Sequence, residues 1–252
     1  MVLVLAQREL RSLFLSPLAW SVLAVVQLIL AYLFLATLNE YFTLQPQLQV
    51  LDNAPGVTEI VVGPLYGSAA FIFMMVVPLL TMRLVSDERR NRTLPLLFAA
   101  PVSMSETIVG KYLGVVAFLA LMTLIITLMP LSILIAGPID FGLLALVALA
   151  LVLLVASFAA VGLFMSTLTV QPTVAAVSTF GVLLLLWIID WAGARVEDPA
   201  ATGLLTYLSM LRHFEALAKG LFSTTHVTYF ILFISVFIVL SIRRLDGDRL
   251  QR

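Results

Sequence analysis

The stretch FGLLALVALALVLLVASFAAVGLFMST, Phe141 to Thr167, runs for 27 residues without a charge. A membrane-spanning helix needs about 20 predominantly apolar residues, and this run lacks the two-residue alternation of a barrel strand. Lipid offers no partner to backbone N–H and C=O groups, so such a segment crosses as a helix. Working outward, five more runs read the same way: Leu18–Leu38, Leu65–Met82, Tyr112–Ala136, Thr173–Trp191 and His226–Ile242. The last is short, but Tyr229 and the pair Arg243–Arg244 suit anchoring at an interface. The expected fold is a single all-α polytopic domain over residues 1–252 with six transmembrane helices.

Composition agrees. The chain is 62% hydrophobic and 11% charged, with a mean hydropathy of +1.13, whereas soluble domains run at about 45–50% and about 25%. Lipid must be its solvent. A net charge of zero gives no argument for nucleic acid. The absence of cysteine excludes disulfides, thiolate metal sites and cysteine nucleophiles. The opening MVLVLAQRELRSLFLSPLAW is not built like a signal peptide, because Arg8 and Arg11 follow its first apolar patch and no small-residue cleavage site comes after. It is expected to be retained.

All but three of the 14 Lys and Arg residues fall before the first span, between the second and third, or after the sixth. Basic excess marks the cytoplasmic side, so both termini and the segment 83–111 are expected there. Arg195, Arg212 and Lys219 lie on the opposite side. On that outer side, within residues 192–225, Leu204, Leu208, Leu211, Phe214, Leu217 and Leu221 recur at helical spacing among Arg212, Glu215 and Lys219. This reads as an amphipathic helix, either lying on the outer membrane face or packed on neighbouring spans. A second amphipathic segment, residues 1–17, carries Arg8, Glu9 and Arg11 between Leu3, Leu10, Leu13 and Phe14, with Pro17 expected to end it.

The search for chemistry returns little. The apolar runs hold essentially no ionisable residue; Asp140 and Asp190 stand at their ends, where solvation accounts for them. That argues against a proton- or ion-driven transporter. His213 and His226 have no acidic neighbour at metal-ligand spacing and read as isolated. Hydrolase, zinc-protease and phosphate-loop motifs do not occur, so if nucleotide energy is used another chain must bind the nucleotide. No catalytic residue, cofactor or metal site is expected. Gly110 and Gly114, and Gly162 and Ser166, stand four apart, a spacing that lets helices approach closely.

What remains is VSDERRNRTLPLLFAAPVSMSETIVGK, Val85 to Lys111. A topogenic loop would account for its arginines but not for its caps and apolar residues. Ser86 is a candidate N-cap, and Asp87 and Glu88 suit the positive end of a helix dipole. A helix over 86–100 is therefore expected, presenting Leu94, Leu96, Leu97 and Phe98 beside Arg89, Arg90 and Thr93. Ser103 with Glu106 forms a capping-box pattern ahead of the third span. Exposed apolar residues beside charge are what a partner-docking surface needs.

This segment resembles the signature of ABC-2 type transporter permeases. The matching positions are Glu88, Thr93, Leu94, Leu97, Pro101, Val102, Ser103, Gly110 and Lys111. Arg8 to Trp20 is similar to that family's interfacial connecting helix, and Tyr207 to Phe230 to the outer region of its gliding-motility subgroup. Two departures stand out: Arg92 occupies a position where the family usually carries glycine, and Pro95 falls inside the coupling helix. The resemblance implies a permease subunit in a bacterial inner membrane, dimerised with an identical or paralogous subunit. It implies a cytoplasmic ATPase dimer that binds ATP and Mg, export through a path lined by the second and fifth spans, and an accessory protein with an outer-side domain. The docking surface would comprise residues 86–90, Thr93, Leu94, Leu97, Phe98 and Pro101–Ser103. Two other readings stay open: an ATP-driven mechanotransducer acting on an outer partner without cargo, and a membrane scaffold.

Overall fold

The computed structural model describes residues 1–48, 56–93, 103–135, 139–193 and 209–250. Helix α1 (Val2–Leu15) is followed at once by α2 (Pro17–Leu48). A π-helical turn (Thr58–Val62) leads into α3 (Gly63–Thr81), then the short α4 (Ser86–Arg90) and α5 (Met104–Leu131). Next come α6 (Phe141–Leu168), α7 (Pro172–Gly193), the short α8 (Met210–Ala218) and α9 (Thr224–Leu250). Among the described residues, six helices are long and apolar enough to cross a membrane: α2, α3, α5, α6, α7 and α9. The chain is an all-α polytopic membrane protein.

Local signals explain several boundaries. Ser103 accepts from the Glu106 amide at 3.2 Å while the Glu106 carboxylate accepts from the Ser103 amide at 3.1 Å, so the expected capping box forms. It starts α5 at Met104, a turn or more ahead of Tyr112, where apolarity alone placed the span. The Asp140 carboxylate accepts from the amides of Gly142 and Leu143 and opens α6. Ser16 is extended between α1 and α2. Pro17 is the first residue of α2, where a missing N–H removes no helical bond, so it begins a helix as much as it ends one.

The bundle centres on α6. Of its most apolar stretch 67% is buried, against 17% for α2 and 11% for α9, and it packs on α3, α5, α7, α8 and α9. Its run of small residues, Ala156, Ser157, Ala159, Ala160 and Gly162, is what lets so many neighbours come close. Hydroxyls within the spans bond one turn back, as Thr123 does to the Leu119 carbonyl and Ser157 to Leu153, so they carry no open valence into lipid. Among the described residues, polar bonds also cross from one span to another. Gln27 donates to the Met122 carbonyl at 3.1 Å, Tyr66 meets Thr127 at 2.8 Å, and Tyr112 donates to the Ala156 carbonyl at 3.1 Å.

The two glycine pairs have distinct partners. At Gly110 and Gly114 it is α1, not another span, that lies against α5. A Cβ added at Gly110 would sit 2.6 Å from the Leu5 Cβ, and one at Gly114 would sit 2.7 Å from the Glu9 Cβ and 2.9 Å from the Ala6 carbonyl. The amphipathic N-terminal helix thus seats its inner face on α5 and leaves Arg8 and Arg11 exposed. Gly162 lies against Thr81, whose Cβ would be 2.7 Å from an added methyl. Gly114→Ala is expected to lower stability by about 1–3 kcal/mol, because backbone as well as side chain must yield. The check is limited tryptic digestion: cleavage after Arg8 and Arg11 should accelerate in the variant, and an unchanged digestion rate would contradict the seating of α1.

Candidate functional site

The chain leaving α3 is held by one side chain from α6. Ser166 Oγ accepts from the amides of Val85 and Ser86 at 3.0 and 3.1 Å and donates to the Met82 carbonyl at 3.0 Å. Those amides are buried and would otherwise be orphans at the start of α4. Ser86 is therefore not an N-cap. The residue in that position is Val85, and the buried Ser86 hydroxyl turns back to donate to the Met82 carbonyl.

The expected helix over 86–100 is also corrected. The Thr93 amide bonds to the Glu88 carbonyl at 3.0 Å, the Arg92 amide bonds to Arg89 at 3.2 Å, and Arg92 has φ of 57°. This is a Schellman closure with a left-handed residue just past the helix end. It stops α4 at Arg90. Glycine is at ease in that conformation and arginine is not, so Arg92 holds a strained backbone at the position where glycine is expected. Residues 94–102, and with them Leu94, Leu96, Leu97, Phe98, Pro101 and Val102 of the expected docking surface, lie outside the described residues.

The charges on α4 face inward as well as outward. Lys111, at the start of α5, donates to the Leu84 carbonyl at 2.6 Å, pairs with Glu88 at 2.8 Å and lies 3.7 Å from Glu9 of α1. Arg89 pairs with Asp248 near the end of α9, and Arg244 approaches the same carboxylate at 3.8 Å. Side chains of Arg89, Asp248 and Lys111 keep only 14%, 16% and 13% exposure, which places these pairs above the near-neutral value of fully exposed ones. Four elements, α1, α4, α5 and α9, are joined through them. Asp87 is half-buried, whereas Arg83, Arg90, Asn91, Arg92, Thr93 and Ser103 are exposed. Two cavities flank α4. One, of about 680 Å³, lies between Arg83, Asp87 and Arg90 and the α6–α7 turn at Gln171 and Pro172. The other, of about 420 Å³, lies toward Arg8 and Ser12 of α1.

Sequence reasoning placed Glu88 and Arg89 at a partner contact, while the structure gives each a partner within the chain. It missed Lys111 and Asp248 as their counterparts. Lys111 had a signal, being a lone cation ahead of a span with two carboxylates at its own end of the chain; Asp248 had none. At the other end of the bundle, His213 and His226 are not isolated. Their Nδ1 atoms are 2.7 Å apart, and Tyr229 stacks on His213 at 4.0 Å.

Six spans centred on a small-residue helix, with a short helix gripped at one end, make this a polytopic membrane protein. Residues 3–248 match the model of the ABC-2 family transporter proteins, and the chain belongs to that family. It is accordingly an integral membrane protein of an ABC-type transporter, a class that works with an ABC ATPase. No curated protein matches the chain.

Two substitutions test the site. Arg92→Gly should raise stability by about 1 kcal/mol by relieving the left-handed strain, measured as a rise in thermal midpoint in detergent; a fall would contradict the turn. Arg89→Asp should cost about 2 kcal/mol, and adding Asp248→Arg should restore most of it. A double variant no better than the single would dismiss the α4–α9 pair.

Proposed function

We propose that the chain is the permease subunit of an exporter in a bacterial cytoplasmic membrane, driven by a separate cytoplasmic ATPase dimer that binds ATP and Mg. The observation that carries this reading is α4. It is closed at both ends, flanked by cavities and fastened through Lys111 and Asp248 to three other elements. A partner that moves α4 moves α1, α5 and α9 with it. The arginine-rich end containing α4 faces the cytoplasm, following the distribution of Lys and Arg. Asp87, Arg90 and Arg83 then meet the ATPase from the two clefts, and the apolar residues 94–98 complete the contact.

A second permease subunit, identical or paralogous, faces this one so that the second and fifth spans line a path. Exposed Val174, Val177 and Leu185 on α7 are consistent with such a surface. A lipidic, hydrophobic or polymeric cargo fits it better than a small ion, because the apolar runs hold essentially no ionisable residue. The gliding-motility subgroup, with an accessory protein on the outer side, is the closest fit to the sequence around Tyr207–Phe230.

The complex purified from its host with its ATPase provides the test. Asp87→Arg with Arg90→Glu should lower ATPase co-purification and stimulated ATP turnover by about tenfold or more, as loss of interface charge complementarity does, while membrane insertion is kept. Unchanged stimulation would remove α4 from the docking surface.

A further inference from the structure

The end of the bundle opposite α4 contains a cavity of about 440 Å³ between α3, α6 and α8. Gly63 and Gly67 form one wall, and Leu143 and the buried Phe214 face them. Unlike Gly110, Gly114 and Gly162, which are closely approached, Gly63 and Gly67 have nothing within 4 Å of where a Cβ would stand. These two glycines therefore open space beside α3 and, among the described residues, seat no neighbouring helix. Following the same slanting i,i+4 ridge of α3 come Phe71, Met75 and Leu79, each at least 43% exposed. The result is an apolar track that starts in the cavity and runs down the span.

The mouth of the cavity is charged with both signs. Glu59, Glu215 and Lys219 line it, with Lys219 3.8 Å from Glu215 and side-chain exposures of 72% and 50% for that pair. Glu59 is exposed and makes no ion pair among the described residues. An adjoining cavity of about 510 Å³ shares Glu59, Leu143 and Lys219. A charged rim above an apolar track at the end of a span is the profile of an amphiphile with its head at the water interface.

We propose that this cavity holds the headgroup of a phospholipid bearing a primary ammonium, with one acyl chain laid along Gly63, Gly67, Phe71, Met75 and Leu79. Lys219 meets the phosphate, and Glu59 and Glu215 meet the ammonium. A purely anionic headgroup would place its charge against two carboxylates with one cation to offset them, which selects the zwitterion. The site is distinct from α4 and needs neither ATPase nor nucleotide, so its failure and that of the docking proposal are separately visible.

Native mass spectrometry of the full chain released from mild detergent, after titration with phosphatidylethanolamine or phosphatidylglycerol, tests it. Wild type should retain one phosphatidylethanolamine per chain, in preference to phosphatidylglycerol by about fivefold, the scale of one exposed ion pair. A Cβ at Gly63 or Gly67 meets nothing within 4 Å, so Gly63→Leu with Gly67→Leu grows into the groove; retention should be lost while the helical circular dichroism stays that of wild type. Glu59→Gln with Glu215→Gln should leave lipid bound but erase the headgroup preference. The proposal is overturned if wild type retains no more lipid than the leucine variant, or if its preference runs to the anionic lipid. It is equally overturned if the leucine pair changes only the oligomeric state, which would assign the groove to a second copy of the chain.

Discussion

The hydroxyl of Ser166 decides how this molecule is put together at its arginine-rich end. Where α3 stops, the amides of Val85 and Ser86 are buried beside lipid-facing helices and have no carbonyl to bond. Ser166 accepts from both and returns its own proton to Met82. A bond of this kind is worth only about 1 kcal/mol when made, but leaving buried donors unpaired costs about 1–3 kcal/mol each. Gly162, one turn earlier, makes the arrangement possible by letting Thr81 lie against the α6 backbone. From that fixed exit, α4 points in the one direction that brings Glu88 to Lys111 and Arg89 to Asp248.

The spans were legible because lipid imposes one strong rule on sequence, and so was the capping box at Ser103 and Glu106, which is closed by residues three apart. What depends on distant partners was not. The spacing of Gly110 and Gly114 announces a close approach, yet nothing in it says that the approaching helix is α1. Ser86 has the chemistry of a cap, but upstream residues coil tightly enough to give its hydroxyl the Met82 carbonyl instead. His213 and His226 stand thirteen residues apart and meet only because the turn at Lys219–Gly220 folds α8 back on α9. The end of α4 was hinted at by an oddity, arginine where similar sequences carry glycine; its left-handed φ was the missing reason.

Burial is unevenly shared among the spans. The core is a close-packed group of α3, α5 and α6, while α2, α7 and α9 present most of their apolar surface outward. In water such exposure would be a defect, but in a bilayer it costs little, since lipid tails are as apolar as leucine. Peripheral spans can therefore shift against the core without a large hydrophobic penalty. Their attachments are local: α9 is tied by the histidine pair at one end and by Asp248 at the other.

The shortness of α4 has a mechanical consequence. Five residues at about 1.5 Å each make a rod of about 7.5 Å, fixed at its start by Ser166 and locked at its finish by the closure around Arg92. A rod of that length has no room to bend or to fray. Its two side-chain anchors, the Lys111 ammonium and the Asp248 carboxylate, are therefore held at a fixed separation by the backbone between Glu88 and Arg89.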